Sequence, residues 1–390
     1  MHRVTLVFIL FLLIPDLYIY LVYVVRKTRK AVLHCLYWLP TLLLAAGYVY
    51  FMFLTGDNAM SNHTQAIGRL AITIMLFVFP KTIFMLCSLV GVLAHFIIRR
   101  CPRSPFTAIG LVLAVVSFFN ILYGTLAGIT RFDTKEVEYR SANIPEGFDG
   151  YRIVQISDIH IGSWQGNPEP IKQLVDLVNG QKPDLIVFTG DLVNQQSHEL
   201  DGFQEILSQL YAPDGVYSIL GNHDYGSYYH WQSPKAEIAN LDYLIRQQAM
   251  GWKLLNNEHD ILHHKGDSIA LIGVENDGEP PFSQFADLPQ AMQGTEGMFQ
   301  ILLSHNPTHW RREVLPRSDI SLMLAGHTHA MQGILFGHSL AELIYPEWRG
   351  MYYEGKRALY VNIGIGYVGL PFRFGAWPEI TVLKLVREKE

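Results

Sequence analysis

The stretch "YRIVQISDIHIG" (151–162) decides how the rest of the chain is read. Its first half is a short apolar run with β-branched residues, which predicts a strand. Its second half sets Asp158 and His160 two positions apart at that strand's end. Alone, such a pair reads as a polar turn or helix cap as readily as a pair of metal ligands, so what matters is whether the pattern recurs.

It recurs four times. "LIVFT" is followed by Gly190-Asp191, "VYSIL" by Gly221-Asn222-His223-Asp224, "QILLS" by His305, and "SLMLA" by Gly326-His327-Thr328-His329. Further apolar runs ("SIALIGV", "ALYVNIG", "EITVLKL", with "VEY" at 137–139 as a first strand) read as strands. The patterns "PIKQLVDLVNG", "LDGFQEILSQLY" and "AEIANLDYLIRQQ" return apolar residues at three and four and read as helices. This alternation predicts a layered α/β domain. Ligands of open α/β sheets sit beyond the carboxyl ends of the strands, so the five polar groups are expected to converge on one crevice. Singly, GNHD is also a tight bend and His305 a turn residue. In GHTH the two histidines, two apart on extended chain, project to one side.

Charge divides the 390 residues in two. Residues 1–130 hold ten Lys/Arg against Asp16 and Asp57, while 131–390 hold 20 basic and 33 acidic residues. The acidic second part argues against nucleic acid as a partner, since phosphate backbones select basic surfaces. Cys35, Cys87 and Cys101 all lie in the first part, so any metal in the second is held by nitrogen and oxygen. That donor set suits Mn, Fe, Zn, Co or Mg rather than a structural zinc site.

The first part carries apolar runs at 4–25, 31–54, 70–98 and 106–129, which predicts about four transmembrane helices in an all-α membrane domain spanning 1–130. "RKTRK" (26–30) and "RRCPRS" (99–104) are basic, whereas "TGDNAMSNH" (55–63) has no Lys or Arg. The positive-inside rule then puts the domain at 131–390 on the non-cytoplasmic face, at the inner membrane in a bacterial cell. The third run contains Pro80 and Lys81 and reads either as one long tilted helix or as a shorter span preceded by an interfacial segment. Asp16 in the first run could pair with Lys81, as an ion pair of structure or of function.

The ordered set DxH, GD, GNHD, H and GHTH resembles the calcineurin-like metallophosphoesterase superfamily over about 151–385. The membrane prefix with "GIGYVGLPFRFGAWPEI" (364–380) is similar to a membrane-anchored bacterial branch of it. The resemblance implies a layered β-sandwich flanked by helices and two divalent ions. Asp158, His160 and His329 would hold one ion and Asn222, His305 and His327 the other, with Asp191 bridging through its two oxygens. It implies a phosphoesterase in which a metal-bridging hydroxide attacks phosphorus, metal binding having lowered the pKa of water from about 15.7 towards 7. His223 would serve the leaving oxygen, oriented by Asp224. The histidines outside the motifs (His198, His230, His259, His263, His264, His309, His338) are expected to be solvated.

Aromatics in "YGSYYHW" (225–231) and "GLPFRFGAW" (369–377) surround Arg373, which is expected to contact a substrate phosphate. The expected partners are the lipid bilayer and a phosphodiester or pyrophosphate substrate, lipid-linked or an envelope precursor. The competing reading is a transport or sensor protein that uses the fold as a phosphate-binding module, supported by Asp16 and Lys81.

Overall fold

The computed structural model describes residues 2–54, 56, 58–99, 101–246 and 250–389, the side chains of 2–7, 54 and 60 excepted. Asp57 and Arg100, counted in the loop charges, lie outside the described residues, as do 247–248 of the third predicted helical pattern. The chain forms two compact units, Met1–Ala127 with Gly369–Phe372, and Gly128–Val368 with Arg373–Glu390.

The first unit is helical. Among the described residues three helices are long and apolar enough to cross a membrane, Ala31–Phe53, Thr64–Ile97 and Ser104–Thr130, with a shorter apolar helix at Phe8–Val24. The third apolar run is one continuous helix of 34 residues through Pro80, rather than a short span with an interfacial prefix. At ~1.5 Å per residue it exceeds the ~30 Å hydrocarbon layer. Lys81 Nζ lies 2.7 Å from Asp16 Oδ1, and the hydroxyls of Tyr37 and Thr41 also donate to that carboxylate, at 3.1 and 2.5 Å.

The second unit is two six-stranded sheets. One contains β1 (Asp133–Ser141), β2 (Arg152–Ile156), β3 (Leu185–Phe188), β4 (Val216–Ser218), β5 (Trp252–Leu254) and, returning from the C-terminus, β12 (Glu379–Arg387), in the order β1-β12-β2-β3-β4-β5. The other contains β6 (Glu258–His264), β7 (Asp267–Gly273), β8 (Phe299–Leu303), β9 (Leu322–Ala325), β10 (Gly350–Glu354) and β11 (Arg357–Val361), in the order β10-β11-β9-β8-β7-β6. Strand side chains alternate between faces, and that alternation builds the layers. Ile153, Leu185 and Val187 meet Leu271, Ile301 and Leu324 between the sheets. Val154, Ile156 and Phe188 face outward against Ile171, Leu174 and Val178 of the helix Glu169–Gly180. Trp310 and Val314 cover the outer face of the second sheet. The β-sandwich flanked by helices is therefore the observed fold.

β2, β3 and β4 run parallel, as do β7, β8, β9 and β11, so within each sheet these strands end at a common edge. The residues that follow those ends carry the polar motifs. The predicted helix over 200–211 is instead a set of turns with only Gln204–Leu207 helical. β5, β6 and β10 were not legible, being short or polar.

Candidate metal centre

Five strand ends deliver their side chains to one place. Asp158, His160 and His329 each offer a ligand atom within 4.8 Å of the others, and so do Asp191, His305 and His327. In the first group His160 Nε2 lies 3.1 Å from His329 Nε2, which is 3.2 Å from Asp158 Oδ1. In the second, His305 Nε2 lies 3.3 Å from His327 Nδ1 and 3.2 Å from Asp191 Oδ2. Two imidazole nitrogens that share a cation at ~2.0–2.1 Å stand roughly 3 Å apart, close to both spacings.

Asp191 lies between the groups, its Oδ2 also being 3.6 Å from His160 Nε2. Its Oδ1 accepts the backbone N–H of His223 at 2.8 Å. A single oxygen therefore faces both sets of histidines, where the sequence suggested a bridge through two.

An unpaired acceptor tests whether the site fits a metal. Asn222 Oδ1 is buried with no hydrogen-bond partner, while its Nδ2 donates to Tyr228 Oη at 2.9 Å. Buried acceptors are costly unless satisfied, and a cation is what a carbonyl oxygen beside ionised Asp191 would satisfy. The neighbours of Asn222 hold it there: a Cβ on Gly221 would stand 2.2 Å from Asp191 Oδ1, so the motif glycine is needed for close approach. Gly326 of GHTH likewise leaves no room for a Cβ beside Asp158 and Ser157.

The backbone is bent to aim these groups. Asp158, His160, Asp191, His327 and His329 have φ of 52°, 45°, 60°, 75° and 50°. Each such non-glycine conformation costs about 1–3 kcal/mol and survives only where surrounding structure enforces it.

Hydrogen bonds fix the imidazoles. His305 Nδ1 donates to Thr189 O at 2.7 Å and His223 Nδ1 to Asn194 O at 2.5 Å, because a carbonyl can only accept; in each ring Nε2 is the free nitrogen. His327 Nε2 meets Tyr345 Oη at 3.0 Å, leaving Nδ1 towards His305. His329 Nδ1 accepts from Arg373 Nη2 at 2.9 Å. A cation held by His329 Nε2 would take the place of the proton that faces Asp158 Oδ1 at 3.2 Å.

The protein's own charges prepare the acids. Burial pushes Asp191 up, but His305 and His223 hold its carboxyl well below the usual range. Asp158, buried too, is lowered by His329 and His305. Burial opposes the charge on His305, yet Asp191 raises it to about 9; burial and His305 hold His327 near 3. Burial also lowers His160. Asp158 and Asp191 are thus held in the ionised form that ligates and His160 and His327 as neutral rings, whereas His305 would give up its proton as a cation binds.

Two expected roles need correction. Asp224 does not orient the His223 ring; its carboxylate accepts the N–H groups of Asp191, Leu192, Val193 and Gly221 at 2.8–3.1 Å and ties the GD turn to the GNHD bend. The Asn194 carbonyl positions His223 instead. Arg373 is fully buried, its donors taken by the carbonyls of Gly366, Ala376 and Ile363 and by His329. A side chain so enclosed cannot meet a substrate phosphate, and it supports His329 from behind. Sequence reasoning missed Asn194, Thr189 and Tyr345. The first two act through backbone carbonyls, which no residue type announces.

Among the motif-free histidines, His198, His230, His263 and His338 are exposed and His259 and His264 half-buried, but His309 is fully buried. Its Nδ1 meets Ser304 Oγ at 2.9 Å and its Nε2 meets Glu313 at 3.2 Å, in a second acid–histidine cluster with Asp277. Arg312 pairs with Asp277, and Arg317 with Glu313 at 3.1 Å.

Residues 151–331 match the family described as "Calcineurin-like phosphoesterase", and residues 2–129 match "Probable Calcineurin-like phosphoesterase, transmembrane domain". The chain is 34% identical to the "Uncharacterized metallophosphoesterase YkuE" of Bacillus subtilis, over 65% of this chain and 85% of that one. It is 28% identical to an "Uncharacterized metallophosphoesterase" of Helicobacter pylori, over 90% and 89%. It is 33% identical to the "Transmembrane protein with metallophosphoesterase domain" of Danio rerio, over 72% of this chain and 62% of that one. A vertebrate relative means that the likeness is not confined to a bacterial branch, as the sequence had suggested.

Proposed function

Because this chain belongs to the calcineurin-like phosphoesterase family of metal-dependent hydrolases, we propose that it is a membrane-tethered enzyme with two divalent cations that cleaves a phosphodiester or pyrophosphate of a lipid or cell-envelope intermediate. In this reading Asp158, His160 and His329 would hold one cation and Asn222, His305 and His327 the other, with Asp191 lying between them. The observation that carries it is Asp191 Oδ2 lying within 3.2 Å of His305 Nε2 and 3.6 Å of His160 Nε2, next to the orphaned Asn222 oxygen.

Cations so held polarise a phosphoryl group and make hydroxide available near neutral pH. The chain's own residues supply the rest. His223, its Nδ1–H held on Asn194 O, carries a second proton on Nε2 in the reactive form and gives it to the leaving oxygen as the P–O bond breaks, returning to the neutral ring. Asp224 keeps the Asp191 and Asn222 turns in register through four backbone amides. Tyr228, its ring tilted against that of His223 at 4.6 Å between centroids, forms part of the rim against which a substrate rests.

The loop charges favour a catalytic unit on the non-cytoplasmic face, where lipid and envelope phosphates are at high effective concentration. The transport or sensor reading rests on Asp16 and Lys81. That pair is closed by Tyr37 and Thr41, as a structural ion pair would be.

The test uses the full chain in detergent, stripped by chelator and reloaded with Mn, with metal content and hydrolysis of bis(p-nitrophenyl) phosphate, a pyrophosphate and lipid phosphates measured together. Hydrolysis restored as two ions per chain bind is the expected result; ion uptake with no hydrolysis of any of these would favour a binding module.

A further inference from the structure

The segment after the last two histidine ligands reverses the burial pattern of its domain. Leu335, Phe336, Leu340, Leu343 and Ile344 are all exposed, Phe336 at 92% and Leu343 at 82%. A single exposed leucine needs no explanation, whereas five large apolar side chains within ten positions mark a surface with a partner.

This is ordered chain. Leu335 and His338 exchange both backbone hydrogen bonds across the turn, and Phe336 sits at its tip with φ of 52°. Ser339 and Glu342 cap the turn Leu340–Leu343 reciprocally, and Ser339 Oγ donates to Ala330 O at 2.6 Å. A phenylalanine in the left-handed region, held out from the domain, is both strained and poorly solvated. An apolar environment around the ring removes the second of these penalties.

Polar groups border the apolar tip. His338 pairs with Glu342, while Arg349 stacks on Trp348 at 4.5 Å and donates to Gly337 O at 3.1 Å. An apolar tip with an aromatic ring and a guanidinium at its base is the pattern of segments that rest at the boundary of headgroups and acyl chains. The segment is also wired to the metal centre, since Tyr345 follows Ile344 and bonds His327 Nε2, and Ala330 follows His329.

We propose that residues 335–344 insert into a bilayer leaflet and so bring the metal centre to phosphates carried on lipids. The bilayer is the favoured occupant because three helices among the described residues are long and apolar enough to span it, and only residues 127–132 separate the helix Ser104–Leu126 from β1. Arg349 on the polar border can meet an anionic headgroup. The delivery of substrate rests on the phosphoesterase reading above; the insertion does not.

The test reconstitutes the full chain in vesicles of phosphatidylcholine and phosphatidylglycerol. Phe336→Trp is expected to add a fluorescence component, relative to wild type, that brominated acyl chains quench. The double variant Phe336→Ser, Leu343→Ser is expected to hydrolyse bis(p-nitrophenyl) phosphate as wild type does, yet to lose at least about tenfold on a phosphodiester lipid presented in the same vesicles. Absence of quenching overturns the insertion whatever the activities, including the case in which the segment instead pairs two chains and the double variant abolishes that pairing. Quenching with equal losses on both substrates overturns the delivery. A wild type inert towards every phosphate ester would count against the phosphoesterase reading, while the quenching would still decide the insertion.

Discussion

Two clusters in one domain are built from the same residue types and have different physics. Asp158, Asp191 and four histidines bring two carboxylates together where, among the described residues, no Lys or Arg lies within ion-pair distance of either. Asp277, His309 and Glu313 carry their own cations, since Arg312 and Arg317 neutralise the acids. The first cluster also has an orphaned amide oxygen and five candidate ligands in the left-handed region; none of Asp277, His309 and Glu313 has a positive φ. Carboxylate and imidazole in proximity therefore do not define a metal centre. What sets the first cluster apart is the lack of a Lys or Arg partner for its carboxylates, an unsatisfied acceptor and enforced backbone strain.

The comparison breaks most decisively at its two aspartates. Asp191→Asn should reduce hydrolysis to background and bound metal well below the about two ions per chain proposed, whereas Asp277→Asn should leave both unchanged and lose about 1–3 kcal/mol of stability by stranding Arg312. Loss of activity from both substitutions would erase the distinction. Elemental analysis alongside the chromogenic assay reads it.

Next in size is His223→Ala, which should lower kcat by about 10²–10⁴-fold with metal content intact. The loss should be smallest for a nitrophenolate leaving group, which needs no proton, and largest for an alkoxide. A uniform loss across leaving groups would remove His223 from proton transfer.

Smaller still is the effect of Arg373→Leu. Freed of its guanidinium, His329 is expected to hold its cation about 10–100-fold more weakly. A metal titration should show the change, with kcat recovering at saturating metal. An elevated KM at unchanged metal affinity would restore the substrate contact that burial argues against.

The smallest effect belongs to the paired cluster. The His309 ring, with Arg317 and Arg312, holds Glu313 down to about 2 against its burial. Its folded value lies below its unfolded one, so the stability it confers is present above about pH 4.5 and is lost as pH falls from there through about 2. Glu313→Gln should lower the thermal midpoint at pH 7 and converge on wild type as the pH drops across that window.

Much of this was legible beforehand because strand ends and ligand types coincide in the sequence. The parallel strands β2, β3, β4, β8 and β9 are short apolar runs, and each is followed within four positions by a candidate ligand, so the convergence of Asp158, Asp191, Asn222, His305 and His327 could be anticipated. Residues whose role depends on enclosure could not be read this way. Arg373 looked like a substrate contact because it sits among aromatics, and only burial on every side shows where its donors go. Asp224 looked like the partner of its neighbour His223, but adjacent side chains diverge, and its oxygens meet amides some 32 positions earlier. The apolar tip at 335–344 gave no signal because a strand, a core loop and an exposed wedge share the same composition.

By itself the sequence determined the layered α/β domain after an apolar helical prefix, and the residue types that meet beyond the strand ends, because periodicity and strand-end placement are local properties of the chain. Tertiary structure alone decided that one oxygen of Asp191 faces both histidine sets, that a peptide carbonyl rather than Asp224 holds His223, and which acid–histidine cluster has no Lys or Arg paired with its acids among the described residues. Those are matters of distance between residues far apart in the chain, and distance is fixed only once the two sheets pack.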